Sequence, residues 1–255
     1  PNIQQMPNKH GLRECLEAPK GYQILAADYS QIELRIAAIL AKDTIMLEAY
    51  RNGQDLHTLM ASKILNKSVA DITKEDRKVA KAANFGLLYG AGAETLQRYA
   101  KTSYGVDLSF SEAERIKTIF QQTYYGIHRW QQETTAQTER SLITRTRGGR
   151  VRRNRPDDKT LYCTSLNTPV QGAGADLLML AIPLIDGAIE NDKAEIISFV
   201  HDEIVLQVAE ESVETVKGKV EDCMRTAFIK LFPDYAWMAE NIVETSSGRT
   251  YADAK

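Results

Sequence analysis

The amino-acid sequence predicts an α+β fold, in which a small antiparallel sheet takes strands from both ends of the chain and a long run of helices is inserted between them. Three observations predict it. Residues 195–208 hold two β-branched, apolar runs, 196–200 and 204–208, on either side of His201-Asp202-Glu203, the pattern of a β-hairpin with a polar tip. Far upstream, Tyr22-Gln-Ile-Leu-Ala-Ala-Asp28 is a second apolar run that ends in an aspartate. Between them, helical periodicity and capping signals dominate.

Residues 1–20 are polar and turn-rich, without a clear period, and 22–29 form the first strand. A helix over 31–41 follows, with Ser30 as N-cap, Ile32, Ile36 and Ile39 on one stripe and Glu33 on another face. Helices over 44–52 and 55–66 are separated by Gly53. Thr73 then caps a helix with Glu75 and Asp76 in its first turn, where the dipole favours acids; it runs to Leu88 or Tyr89 and stops at Gly90. Arg77, Lys81 and Phe85 stand four apart and share a side. Two cations so placed repel, and an anion between them relieves the repulsion. Gly86, inside the helix, costs about 1 kcal/mol relative to alanine, which points to close packing against the backbone there.

Further helices are expected at 92–102, 111–124 and 126–140, strand-like pieces near 142–146, and a long helix over 162–190. Pro169 is tolerated only in the first turns, so that helix either starts near it or kinks. A surface helix at 211–231 and an irregular tail at 244–251 complete the chain.

With 255 residues, 43% hydrophobic and 26% charged, the composition is that of an ordinary globular chain of one or two domains. Cys15, Cys163 and Cys223 are far apart and lack metal-ligand spacing, which argues against a disulfide framework or zinc and for a reducing compartment. Such a compartment is the cytoplasm or an organelle, and not the secreted space. No signal peptide, internal repeat or membrane-spanning run is evident. The net charge of −2 gives no reason to expect nucleic acid, but residues 140–155 hold seven arginines and no acid. Arg150, Arg152 and Arg153 sit in a Gly-Gly-containing loop suited to phosphate contacts. A solvated loop, or one paired with the acidic C-terminal third, accounts for the same run.

Asp28 and Asp202, each at a strand end, would repel if brought together, and divalent cations remove that repulsion. Hard oxygen ligands favour magnesium. Two ions roughly 3.5–4 Å apart stabilise the attacking and leaving oxygens of an in-line displacement at phosphorus. A helix presenting Arg77 and Lys81 neutralises the phosphates being moved, and Phe85 offers a surface for a sugar or base. The chemistry inferred is nucleotidyl transfer.

These residues also carry a resemblance. Asp28-Tyr-Ser-Gln-Ile-Glu-Leu-Arg35, Arg77-Lys-Val-Ala-Lys-Ala-Ala-Asn-Phe-Gly-Leu-Leu-Tyr-Gly90 and Val200-His-Asp-Glu203 resemble the three polymerase motifs of the DNA polymerase I family. Gln54-Asp-Leu-His57 and Asn167-Thr-Pro-Val-Gln171-Gly172 resemble two further segments, so that the likeness covers the whole chain in order. It implies a palm in two parts, 1–43 and 160–255, with fingers and a connecting basic segment at 44–159. It implies Asp28 and Asp202 as ligands of two Mg²⁺, the Tyr29 carbonyl assisting. His57, Arg77 and Lys81 would meet the incoming triphosphate, with Lys81 also the proton donor to pyrophosphate. Tyr29, Gln31, Phe85 and Tyr89 would border the nucleotide, and Glu33 would act against a ribose 2′-hydroxyl. Arg35, Asn167, Gln171, His201 and Glu203 would border the primer terminus. The implied partners are primer–template DNA and deoxynucleoside triphosphates, with no membrane.

The sequence departs from the family in places. Cys163 and Phe199 stand where the family commonly has Arg and Gln. Nothing matches the family's thumb or its 3′–5′ exonuclease domain, so a catalytically weak or inactive DNA-binding polymerase fragment that needs an N-terminal thumb is the alternative reading. A single-subunit RNA polymerase would have to accept the 2′-hydroxyl, against Glu33, and a nuclease would not need the Arg77/Lys81/Phe85 helix.

Overall fold

The computed structural model describes residues 11–255. These pack as two compact units, one taking the described residues up to Ile32 together with Gly174–Lys255, the other Glu33–Ala173. In this division α1 (Ile32–Ala41) beyond Ile32 and the first part of α8 (Leu161–Ile189) pack with the helical unit.

The first unit is built on a four-stranded antiparallel sheet ordered β4 (Ala194–Val200), β5 (Glu203–Ala209), β1 (Tyr22–Tyr29), β6 (Val243–Gly248). The central strands are nearly continuous apolar runs because both their faces are covered. On one face Leu25, Ala27, Tyr29, Ile204, Leu206 and Val208 are buried. Beneath lies α9 (Val213–Leu231), whose Val216, Val220, Met224, Phe228 and Leu231 form a stripe at helical spacing. On the other face Ile24, Ala26 and Val205 are covered by Ala18, Tyr251 and Ala254.

The tail expected to be irregular is instead the strand β6, paired along β1 from Tyr29↔Val243 to Ile24↔Gly248. Its Glu-Thr-Ser-Ser run hides it from a hydrophobicity pattern, but an edge strand needs only backbone partners on one side. Short 3₁₀ turns at Glu210–Ser212 and Pro233–Ala239 flank α9, so the helix expected from 211 begins at Val213.

The second unit holds α2 (Thr44–Arg51), α3 (Leu56–Leu65), α4 (Lys74–Leu88), α5 (Ala93–Tyr104), α6 (Phe110–Thr123), α7 (Tyr125–Ser141) and the ribbon of β2 (Ile143–Arg145) and β3 (Val151–Arg153). The helices α1 and α8 lead into and out of it. Thr73 and Asp76 close a reciprocal capping box at the start of α4. The close approach expected at Gly86 is made by α5: a β-carbon there would lie 3.3 Å from both Leu96 and Tyr99.

α8 continues through Pro169 as a single helix from Leu161, neither starting near the proline nor divided at it. Contrary to the expectation from sequence, α8 is also long and apolar enough to cross a membrane by length and composition. Leu166, Val170, Ala173, Leu177, Ala181 and Ile185 are all buried along one stripe, as in a core helix.

Asp43 holds two helix starts together. Its Oδ1 accepts from Met46 N at 3.0 Å, capping α2, and its Oδ2 accepts from Ile127 N at 3.2 Å, in the first turn of α7. Gly126 makes room, since a β-carbon there would lie 2.7 Å from the Asp43 Cα. Asp43→Ala leaves two buried N–H groups without a partner and is expected to lower stability by about 2–4 kcal/mol in denaturant melts. A loss below about 0.5 kcal/mol would show that water replaces both bonds.

Candidate active site

In the first unit, antiparallel pairing brings the two aspartates together. Asp28 lies opposite Glu203 on one side and Glu244 on the other, and Tyr29 N donates to the carbonyl of Asp202 at 3.3 Å. Asp28 and Asp202 share a side-chain hydrogen bond. Burial, then the Asp202 carboxylate, pushes the Asp28 pKa up to about 7, against the pull of Lys255. Burial likewise raises Asp202. A half-buried carboxylate pair that holds a proton this firmly fits a cation in its place. Among the described residues no group of three or more His, Cys, Asp or Glu is arranged to hold a metal. Mg²⁺ suits the pair, because it takes one or two carboxylates and completes its shell with water and substrate phosphates.

The turn that carries Asp202 is strained, with His201 exposed at φ 57°, a conformation that costs a non-glycine residue roughly 1–3 kcal/mol. The Oε1 of Gln31, also at positive φ (51°), is buried without a partner among the described residues. The Tyr29 side chain is buried under the sheet and its hydroxyl donates to Met224 O at 2.8 Å, so only its main chain is left for a site role. Glu203, expected to border the primer, is instead buried: Tyr251 donates to its Oε1 at 2.6 Å and Lys255 pairs with its Oε2. The sequence signal for that anchor was the tail's Tyr251 and Lys255, which nothing local links to Glu203.

In the second unit, Arg77, Lys81 and Phe85 lie along α4. The anion expected between the cations is supplied on one side by the chain itself, since Arg77 is paired with Asp55, the N-cap of α3. The Arg77 Nε is buried without a partner among the described residues. His57, in the first turn of α3, is buried and its ring centre lies 5.5 Å from that of Phe85. Asn84 Nδ2 sits 3.0 Å from His57 Nδ1, which assigns the imidazole proton to Nε2. Burial pushes the His57 pKa down to about 4, opposed by Asp55 and aided by Lys81 and Arg77.

The neutral imidazole has a consequence for stability. Between pH 6.5 and about 4 the unfolded chain carries a proton on His57 that the folded chain lacks, so acid favours unfolding. His57 is expected to cost up to roughly 3 kcal/mol of stability across that window. In denaturant melts the wild type should therefore lose stability relative to His57→Asn as pH falls from about 7 to about 4.5. Parallel profiles would mean that the ring protonates in place.

At the other end of α4, the Tyr89 hydroxyl donates to Glu33 Oε2 and also bonds Gln171. Burial, then the Glu33 charge, raises the Tyr89 pKa well beyond the ordinary tyrosine range, so Tyr89 stays protonated and keeps donating. Gly90 follows at φ 78°, and a β-carbon there would lie 2.3 Å from the Tyr162 ring. Asn167 and the exposed Gln171 share one side of α8. Arg35 lies over the Tyr50 ring at 4.5 Å. Arg150 donates to Gly172 O at 2.6 Å, tying the basic ribbon to α8, while Arg152 and Arg153 are exposed on β3. Cys163 and Phe199 are both exposed. Sequence reasoning missed Asp55, Asn84, Tyr251 and Lys255 as supports of the site. Asp55, within Gln54-Asp-Leu-His57, and Asn84, within the Arg77–Gly90 motif, lay in segments already singled out.

The family model for DNA polymerase family A matches residues 1–253. The chain is 38% identical over 229 residues to a DNA polymerase I of Aquifex aeolicus, covering 89% of this chain and 39% of that protein. It is 32% identical over 266 residues to a thermostable DNA polymerase I of Thermus filiformis, covering 100% of this chain and 30% of that protein. Among solved structures it superposes with a TM-score of 0.84 and 28% identity on the POL domain of Pol1 from M. smegmatis, in complex with DNA primer-template and dNTP. That match covers 100% of this chain and 45% of the solved one. The chain thus spans less than half the length of these relatives, and across that span it belongs to DNA polymerase family A.

Proposed function

We propose that the chain is the nucleotidyl-transfer part of a template-directed DNA polymerase, which adds deoxynucleotides to a primer 3′-hydroxyl and releases pyrophosphate. The observation that carries this reading is the half-buried Asp28–Asp202 pair, set at the end of β1 and in the turn before β5 of a family A chain. Asp28, Asp202 and the Tyr29 carbonyl would hold two Mg²⁺, which when bound activate the primer oxygen and neutralise charge on the phosphates. His57 donates through Nε2–H to the triphosphate, beside Arg77, whose Nε has no partner among the described residues. Lys81, one turn on, donates the proton that leaves with pyrophosphate. Phe85, Tyr89, Glu33 and Gln31 border the nucleotide. Arg35, Asn167, Gln171, His201, Arg150, Arg152 and Arg153 serve primer and template. The sheet unit takes the part of the palm and the helical unit that of the fingers.

The solved neighbour's primer-template and dNTP support these partners, and the bacterial relatives support a cytoplasmic setting. A second reading, that addition depends on a thumb contributed by further sequence, is favoured by the 39% share of the Aquifex relative that the chain spans. Primer extension with Mg²⁺, comparing dNTPs with rNTPs and the chain alone with a thumb fusion, tests both. Extension with dNTPs by the chain alone supports the first reading; extension only by the fusion supports the second. Extension by neither overturns both.

A further inference from the structure

We propose that Lys255 sets how tightly, and how selectively, the Asp28–Asp202 pair binds divalent ions, by holding Glu203 out of the coordination set. The proposal rests on the reading of that pair as the metal site. Glu203 is the direct register partner of Asp28, so the two side chains emerge on one face of neighbouring strands. A third carboxylate so placed would ordinarily join the ligands. Here both its oxygens are engaged: Tyr251 donates to Oε1 at 2.6 Å and the Lys255 ammonium pairs with Oε2. The Glu203 side chain is only 3% exposed, so water cannot take over from either partner.

Lys255 reaches this position on an anchored segment. Thr250 Oγ1 donates to Asp253 Oδ2 at 2.8 Å, Ala254 N donates to Thr250 O at 3.2 Å, and Tyr251 N donates to Leu16 O at 2.9 Å. The Lys255 ammonium also lies 6.0 Å from the centre of the Tyr251 ring, against the face that the tyrosine presents. Its charge is felt at Asp28 and Asp202 as well as at Glu203. One ammonium thus offsets the acidic face and withholds one ligand. Two carboxylates suit Mg²⁺, which keeps most of its water; three suit larger ions that gather six to eight oxygens.

Mn²⁺ titration followed by the electron paramagnetic resonance signal of the free ion, without DNA or nucleotide, tests this, with Ca²⁺ and Mg²⁺ as competitors. Lys255→Met should bind Mn²⁺ roughly tenfold tighter and shift competition from Mg²⁺ toward Ca²⁺. Lys255→Arg should behave as wild type. Adding Glu203→Gln to Lys255→Met should return the affinity to the wild-type value. An unchanged Lys255→Met affinity overturns the proposal, as does a gain that survives Glu203→Gln. If Asp202→Asn binds Mn²⁺ as the wild type does, the metal reading itself fails, whatever Lys255 does.

Discussion

Asp202→Asn is expected to lose nucleotide addition by roughly a thousandfold or more while keeping its fold. The substitution preserves the shape of the side chain and removes the charge. Asn also tolerates the polar tip of a tight hairpin, so the turn after His201 should persist. What disappears is one of the two half-buried carboxylates proposed to make the cation's place. The same replacement removes the repulsion that Asp28 feels from its neighbour, so the metal-free variant should melt at a higher temperature than the wild type. Loss of activity with gain of stability separates a site residue from a structural one, since a misfolded variant loses both. Single-turnover primer extension and thermal melts in chelator measure the two sides. A near-wild-type extension rate would remove Asp202 from the chemistry, and a lower melting temperature would mean that the pair is held by something other than mutual strain.

The second large effect concerns the sugar. Glu33→Ala should raise ribonucleotide incorporation relative to deoxynucleotide by roughly a hundredfold, with some loss of overall rate. The Glu33 carboxylate is not a free arm, because the protonated Tyr89 hydroxyl donates to it from the C-cap of α4. A 2′-hydroxyl arriving beside it would meet a side chain fixed in place, and would lose water without gaining a partner. Tyr89→Phe should therefore reproduce part of the Glu33→Ala effect, since it releases the carboxylate without shortening it. Phe85, in the role proposed for it, would act on a different carbon. It has no hydroxyl of its own to stand in for a missing 3′-hydroxyl, so Phe85→Tyr should improve dideoxynucleotide acceptance and leave ribonucleotide rejection alone. Single-nucleotide incorporation of dNTP, rNTP and ddNTP by each variant measures this. A Tyr89→Phe enzyme with wild-type sugar selection would show that Glu33 needs no support.

Much of this site was legible because its residues end regular patterns. Asp28 closes an apolar run and Asp202 interrupts two, so a polar residue where the period demands otherwise stood out. Arg77, Lys81 and Phe85 were visible through helical spacing, and Thr73 through its capping box. The partners were not legible. Asp55 reaches Arg77 across 22 residues and Tyr251 reaches Glu203 across 48, and no local pattern encodes such pairs. β6 escaped because an edge strand can be polar, and the path of α8 through Pro169 because packing along a buried stripe outweighs one missing backbone bond. The burial of Glu203 was hidden for a related reason. A motif names a residue type, whereas burial decides whether its oxygens are available.

The sheet has a consequence for how the chain is made. β1 lies at the centre, yet both its neighbours, β5 and β6, come from the far end of the sequence. On the ribosome β1 therefore emerges with two open edges and must wait for β5 to be synthesised, on the order of ten to thirty seconds at usual elongation rates. The helical unit, encoded in between and dominated by local contacts, can fold in that interval, and closing the sheet across it carries the entropy of a very long loop. An apolar strand exposed for that long is a natural client for a chaperone.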